Sequence, residues 1–163
     1  MLPQFGGKMK VLITLLGRSV WGLVNSAWAS IREFDYIPDR VHIVAARKQR
    51  MDAEIAGKLL EVVLRNHGSP AEIHVEIVEG GDVGAVASKV RELVTGAKMS
   101  GHSIAVDVTS GTKDLVLGSL MVELEKVDHI FYLRLDSLRN ADRPYMLIPV
   151  ERQHALDVLR EVR

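Results

Sequence analysis

The stretch VDVTSGTKDL, residues 106–115, decides how the rest of the chain is read. A run of strand formers meets the turn Thr109-Ser110-Gly111-Thr112-Lys113 and passes at once into a helical pattern. A tight turn alone needs only the glycine. The threonines, the serine and the lysine add hydroxyl and ammonium donors at the start of a helix, with Asp107 just before them. Free backbone N–H groups and the helix dipole already favour an anion there. The turn is read as one built to hold a phosphate.

Working outward, strand and helix alternate along the whole chain. Residues 11–16 form a near-continuous apolar run that ends at Gly17, as expected of a strand buried on both faces. Ser19 caps a helix over 20–32, with Val20, Leu23, Val24, Ala27 and Ile31 on one face and Trp21, Asn25, Trp28 and Arg32 on the other. A second strand over 41–46 leads through the polar loop Arg47-Lys48-Gln49-Arg50 to a helix over 51–66. Its inward side is expected to be Ile55, Leu59, Val62 and Val63, and Gly68 and Pro70 stop it. Residues 73–77 alternate cleanly, which marks a half-exposed edge strand. Asp82 caps a helix over 83–97, with Val83, Val86, Val90, Leu93 and Val94 packed. The fourth strand spans 103–109, the fourth helix 113–126 and the fifth strand 130–135. A polar loop with Asp136, Arg139, Asp142 and Arg143 follows. A sixth strand is expected over 145–150 and a closing helix over 151–163.

This succession predicts an α/β Rossmann-like fold: a doubly wound, mostly parallel sheet of about six strands with helices on both faces. The order is 3-2-1-4-5 with the sixth strand beyond, in one domain over 1–163, of which 1–8 is a flexible leader. Strands 1 and 4 are then neighbours whose connections leave to opposite faces. The crevice at their carboxyl ends is where such sheets bind ligands. The turn Gly17-Arg18-Ser19 and the turn 109–113 meet there, each running straight into a helix.

Composition narrows the ligand. The 163 residues carry 21 Lys and Arg against 21 Asp and Glu, so a backbone grip on long DNA or RNA is not expected. A local basic pocket for a small anion remains open. There is no cysteine, and the six histidines show no metal-ligand spacing, so neither a metal site nor a cofactor is expected. His42 and His74 lie in strands and His129 starts one. No apolar run suits a signal peptide or a membrane span, and a soluble cytoplasmic protein is expected. The G-x-G-x-x-G of dinucleotide folds and the G-x-x-x-x-G-K-[ST] of triphosphate folds are both absent.

On these residues the sequence resembles the CARF family, the CRISPR-associated Rossmann-fold domains that sense cyclic oligoadenylates. That family shows a hydrophobic-Asp-hydrophobic-Thr-x-Gly-Thr-Lys segment after its fourth strand. Asp107, Thr109, Gly111, Thr112 and Lys113 match it position by position, with Ser110 at a place often taken by glycine. LLGRSVWGLVNS, residues 15–26, resembles the family's other ligand loop.

The resemblance implies a homodimer with a ring of four or six adenylates across its two-fold axis, four being favoured. The fourth helix suits an interface, being apolar on more than one face through Leu115, Val116, Leu117, Leu120, Met121, Val122 and Leu124. A stand-alone chain resembles the ring nucleases, which cut the cyclic messenger and switch off type III CRISPR signalling. The expected chemistry is metal-independent attack of an adenosine 2′-OH on the adjacent phosphate, leaving a 2′,3′-cyclic phosphate and a 5′-OH.

Lys113 is the expected catalytic cation, with plain phosphate binding as its alternative; Ser19 would orient the reacting group or simply cap its helix. Gly17, Arg18, Thr109, Ser110, Gly111 and Thr112 would surround the phosphate, with Asp107 anchoring the turn. Trp21 either stacks on adenine or packs in the core, and Asn25 would read a base edge or a ribose. Arg47, Gln49 and Asp82 either reach the outer adenines or form a solvated loop. The alternative function is a non-cleaving sensor module that regulates a partner or an effector domain.

Overall fold

The computed structural model describes residues 7–163; the first six residues of the expected leader lie outside the described residues. The chain forms β1 (Lys10–Leu16), α1 (Val20–Phe34), β2 (Arg40–Ala46), α2 (Arg50–Asn66), β3 (Glu72–Val78), α3 (Val83–Met99), β4 (Ser103–Asp107), α4 (Lys113–Leu120), β5 (His129–Leu135), β6 (Gln153–Asp157) and α5 (Val158–Val162). The sheet order is β3-β2-β1-β4-β5-β6, parallel except for β6, which runs antiparallel to β5. The doubly wound α/β architecture and the strand order expected from the sequence are thus observed.

β1 is central because it is apolar at almost every position. Leu12 and Leu16 point into a core shared with Leu23, Val24, Leu60 and Leu64 of α1 and α2. Val11, Ile13 and Leu15 point into the opposite core, with Val86, Val90 and Val94 of α3 and Leu115 of α4. All five β1 side chains are 0–1% exposed. At about 1.5–3 kcal/mol for each such side chain, this strand alone stabilises the layering strongly.

Three expectations change. In α2 the sheet-facing residues are Ala53, Ala56, Gly57, Leu60, Val63 and Leu64, while Ile55 and Val62 are 48% and 59% exposed. The small residues let the helix lie close to β3, with the place of a Gly57 Cβ only 3.4 Å from Ile73 Cγ2. Of the four residues expected inward, Val63 is buried and Leu59 packs partly buried against the core, while Ile55 and Val62 face solvent.

The helix expected over 113–126 ends at Leu120 and is followed by a single 3₁₀ turn, Leu124–Lys126. Within this chain it is buried on one side only, leaving Leu117, Leu120, Met121 and Leu124 40–64% exposed.

The sixth strand is not 145–150 but Gln153–Asp157, and the closing helix is only Val158–Val162. Pro144 and Pro149 precede 3₁₀ turns at Tyr145–Leu147 and Val150–Arg152, and a proline cannot donate to a strand ladder. Pairing with β5, from Leu135↔Gln153 to Phe131↔Asp157, overrides the helical pattern of the tail.

Candidate functional site

β1 and β4 are adjacent and parallel, with Thr14 beside Asp107 in the register. Asp107 is buried. It accepts hydrogen bonds from Thr14 Oγ1 at 2.9 Å, Thr109 N at 3.0 Å, Thr109 Oγ1 at 2.7 Å and the Ser26 hydroxyl of α1. Burial pushes its carboxyl above the usual range, against these donors, which favour the charged form. Thr109 N bonding to Asp107 also ends β4 two residues before the expected boundary. With its oxygens saturated, Asp107 anchors the turn and leaves no lone pair for base chemistry.

The two turns interlock. The Ser110 hydroxyl donates to the Ser19 carbonyl at 2.8 Å and accepts from Gly17 N at 3.4 Å. A Cβ on Gly17 would overlap the Ser110 carbonyl oxygen and sit 3.1 Å from Thr112 N. A Cβ on Gly111 would lie 2.9 Å from Leu15 Cδ1 and 3.0 Å from Val116 Cγ2. Both glycines are required by close approach. The Gln49 side chain donates to the Gly17 carbonyl. The carbonyls of Gly17 and Ser19 are therefore occupied. Among the described residues, no protein acceptor meets the N–H groups of Arg18, Ser19 and Val20, or of Gly111, Thr112 and Lys113. Two sets of backbone donors and two helix N-termini thus meet at the carboxyl ends of the central strands β1 and β4, the electrostatics that an anion requires. Arg18 and Lys113 are exposed there, and neither forms an ion pair among the described residues.

Several expected ligand contacts are engaged elsewhere. The Thr109 hydroxyl donates to Asp107 and accepts from Leu133 N at 2.9 Å, so it ties the turn to β5. Ser110 is a strut between the turns. Ser19 accepts from Gly22 N at 2.9 Å as the α1 cap and donates to the Ala141 carbonyl at 3.2 Å. Trp21 is half-buried against the α1–α2 core, the packing alternative. Asn25, expected on the face of Trp21, Trp28 and Arg32 to read a base edge or a ribose, is 1% exposed and donates to the Arg143 carbonyl at 2.7 Å.

The outer loop residues are also occupied. Arg47 pairs with Glu79 at 2.8 Å on the surface. Gln49 holds the first turn rather than lining an outer pocket. Asp82 caps α3 by accepting from Ala85 N at 2.9 Å. Its loop is tied to the second turn, because Asp114 accepts from Gly81 N at 2.9 Å. The Thr112 hydroxyl and Gly81 N–H hold the Asp114 carboxyl below its usual range.

Two contributors went unrecognised in the sequence. Thr14 and Ser26 hold Asp107; the only signal was a polar residue inside each apolar pattern. The connection 136–152 passes over the N-terminal half of α1, carrying exposed Arg139, Asp142 and Arg143 past the crevice. The sequence shows it only as a polar loop. Among the described residues, no group of three or more His, Asp or Glu side chains is placed to hold a metal ion, and no helix is long and apolar enough to cross a membrane.

No protein-family model and no curated protein matches this chain. Solved structures do. Can2 from Sulfobacillus thermosulfidooxidans, in complex with cyclic tetra-adenylate, superimposes with a TM-score of 0.60 at 17% identity, over 82% of this chain and 36% of its own. Csm6 from Enterococcus italicus, bound to cyclic hexa-2′-fluoro-hexa-dAMP, gives 0.59 at 15% identity, over 96% and 44%. Protein VC1899 from Vibrio cholerae gives 0.59 at 16%, over 76% and 30%. This chain therefore matches less than half the length of each. At these identities the likeness is one of fold: this chain shares the Rossmann-like α/β fold of these structures.

Proposed function

We propose that this chain binds a cyclic oligoadenylate, the tetra-adenylate in preference to the hexa-adenylate, in the crevice formed by turns 17–19 and 109–113. The observation that carries this is the interlock of the two turns. It occupies the carbonyls of Gly17 and Ser19 and leaves backbone donors of both turns beside Arg18 and Lys113. Two structures of the same fold hold such rings, which supports the ligand class.

The ring sits across the two-fold axis of a homodimer, so each turn acts twice. The exposed Leu117, Leu120, Met121 and Leu124 at α4 and just beyond support that interface. A type III CRISPR context follows from the ligand.

The ring is cut without metal. A ribose 2′-oxygen attacks the adjacent phosphorus in line, its proton passes to water, and the 5′-oxygen leaves and takes up a proton. The products carry a 2′,3′-cyclic phosphate and a 5′-OH. Lys113 and the N–H groups of Gly111 and Thr112 stabilise the charge that gathers on the phosphoryl oxygens.

A second reading, a sensor that binds without cutting, is favoured by one observation: the Ser19 hydroxyl is already committed to Gly22 and Ala141.

The test mixes the protein with cyclic tetra-adenylate, and separately cyclic hexa-adenylate, in EDTA, with chromatography of products and calorimetry of binding. Linear products ending in a cyclic phosphate, lost by about 10²–10³-fold in Lys113→Ala with binding retained, establish the nuclease. Binding without products establishes the sensor. Neither binding nor products refutes both.

A further inference from the structure

We propose that the tip of the β5–β6 connection, residues 138–143, competes with the ligand: it occupies Ser19 and Asn25 and must leave before a nucleotide can engage them. This rests on the binding function proposed above.

The contacts are specific in kind. The Ser19 hydroxyl donates to the Ala141 carbonyl at 3.2 Å, and Asn25 Nδ2 donates to the Arg143 carbonyl at 2.7 Å. Phosphate oxygens, ribose oxygens and the adenine ring nitrogens are also acceptors. The two main-chain carbonyls therefore present to α1 the chemistry that an adenylate would present. Because the partners are carbonyls, the tip does this whatever its side chains are.

The Asn25 amide is left half-used. It is 1% exposed, yet its Oδ1 meets no donor in the protein. A buried carbonyl without a donor is unfavourable, and native structures keep few of them. An adenine edge offers a ring-nitrogen acceptor beside an exocyclic amino donor, and asparagine pairs with both at once. With the tip displaced, both ends of the Asn25 amide are used; with the tip in place, one is.

The tip is also lightly held. Its own backbone bonds are local ones: Asn140 N to Ser137 O, Ala141 N to Leu138 O and Arg143 N to Asn140 O. Leu138 is 88% exposed, and only Asn140 is buried within the tip. The firm anchors of the connection begin beyond it. Tyr145 packs on Trp28 and donates to Glu33 at 3.1 Å, and Ile148 is buried. The tip can lift while the segment from Tyr145 stays docked, as regions with few buried contacts open first.

Hydrogen exchange of the whole protein, with and without cyclic tetra-adenylate, tests this together with calorimetry on a variant in which residues 138–143 are replaced by a short Gly-Ser linker. The ligand should speed exchange in the tip about tenfold or more, and the shortened variant should bind about tenfold tighter, because a competitor lowers apparent affinity by the fraction it occupies. Binding by the shortened variant alone supports the proposal in its strongest form. Binding with unchanged or slowed tip exchange overturns it while leaving the binding function standing. Failure of both proteins to bind removes the function and the competition with it. The exchange result on the natural protein decides the matter even if the shortened variant does not fold.

Discussion

Gly17→Ala is the most informative single change, because it asks whether the two turns are one device. The added Cβ overlaps the Ser110 carbonyl oxygen and lies 3.1 Å from Thr112 N. Both neighbours are backbone, so neither yields by a rotamer change, and the turns must part by about 1 Å. Overpacking of this kind costs about 1–3 kcal/mol. Parting the turns also strains the Ser110 bonds to Ser19 O and Gly17 N, each worth about 1 kcal/mol.

The expected loss is therefore about 3 kcal/mol, or roughly 6–12 °C in Tm for a domain of this size. Gly22→Ala is the control. Its Cβ would meet only Ser19 and Ser110 side-chain atoms at 3.4–3.5 Å, ordinary contact inside a helix, so stability should hold or rise by about 0.5–1 kcal/mol. Urea unfolding of the two variants, read with cyclic tetra-adenylate titration, separates them: Gly17→Ala loses stability and binding, Gly22→Ala neither. If Gly17→Ala unfolds within 0.5 kcal/mol of the natural protein (roughly the scatter of neutral surface changes), the interlock is not what holds the site.

Three further outcomes follow from the same geometry. Asp107→Ala leaves the buried Thr14 hydroxyl and the Thr109 N–H and hydroxyl without their acceptor, while Ser26 keeps the Leu23 carbonyl, and should cost about 3 kcal/mol in urea unfolding, more than Thr109→Val at about 2 kcal/mol. His42 has its pKa lowered from 6.5, first by burial and then by His74 and Arg40 beside it, against the hydrogen bond and charge of Glu76. The unfolded state then binds more protons than the native one, so stability should rise with pH through the window just below 6.5; His42→Gln should flatten that slope in unfolding curves between about pH 5 and 7. Leu117→Glu places a charge on the exposed α4 face and should convert the proposed dimer to monomer in sedimentation, with ligand affinity falling alongside.

Within the site, Asp107 was legible as the anchor of its turn, because that role is local to one turn, whereas the close approach of Gly111 to Leu15 was not. Nor were the roles of Ser110, Gln49 and Asn25. Each is defined by a partner 32–118 residues away, Ser19, Gly17 and Arg143 respectively, and no spacing within one segment encodes such a pair. Side-chain chemistry gave the right residues a hydrogen-bonding role but not the partner. Hydroxyls and amides near a helix N-terminus serve the protein's own carbonyls as readily as a ligand's oxygens.

The sequence by itself determined the strand order and the place of the crevice. The continuous apolar run of β1, the alternation of β3 and the strand–turn–helix repeats are local patterns whose burial demands have one economical arrangement. Tertiary structure decided what local pattern leaves degenerate. Gln153–Asp157 became a strand because the β5 edge was there to pair with it. Ala53, Ala56 and Gly57, not the larger Ile55, faced the sheet because closeness of approach outweighed side-chain size. The connection 136–152 came to rest on α1 because Tyr145 found Trp28 and two carbonyls found Ser19 and Asn25. Contacts between distant segments depend on the shape of the assembled surface, which exists only after the local elements have packed.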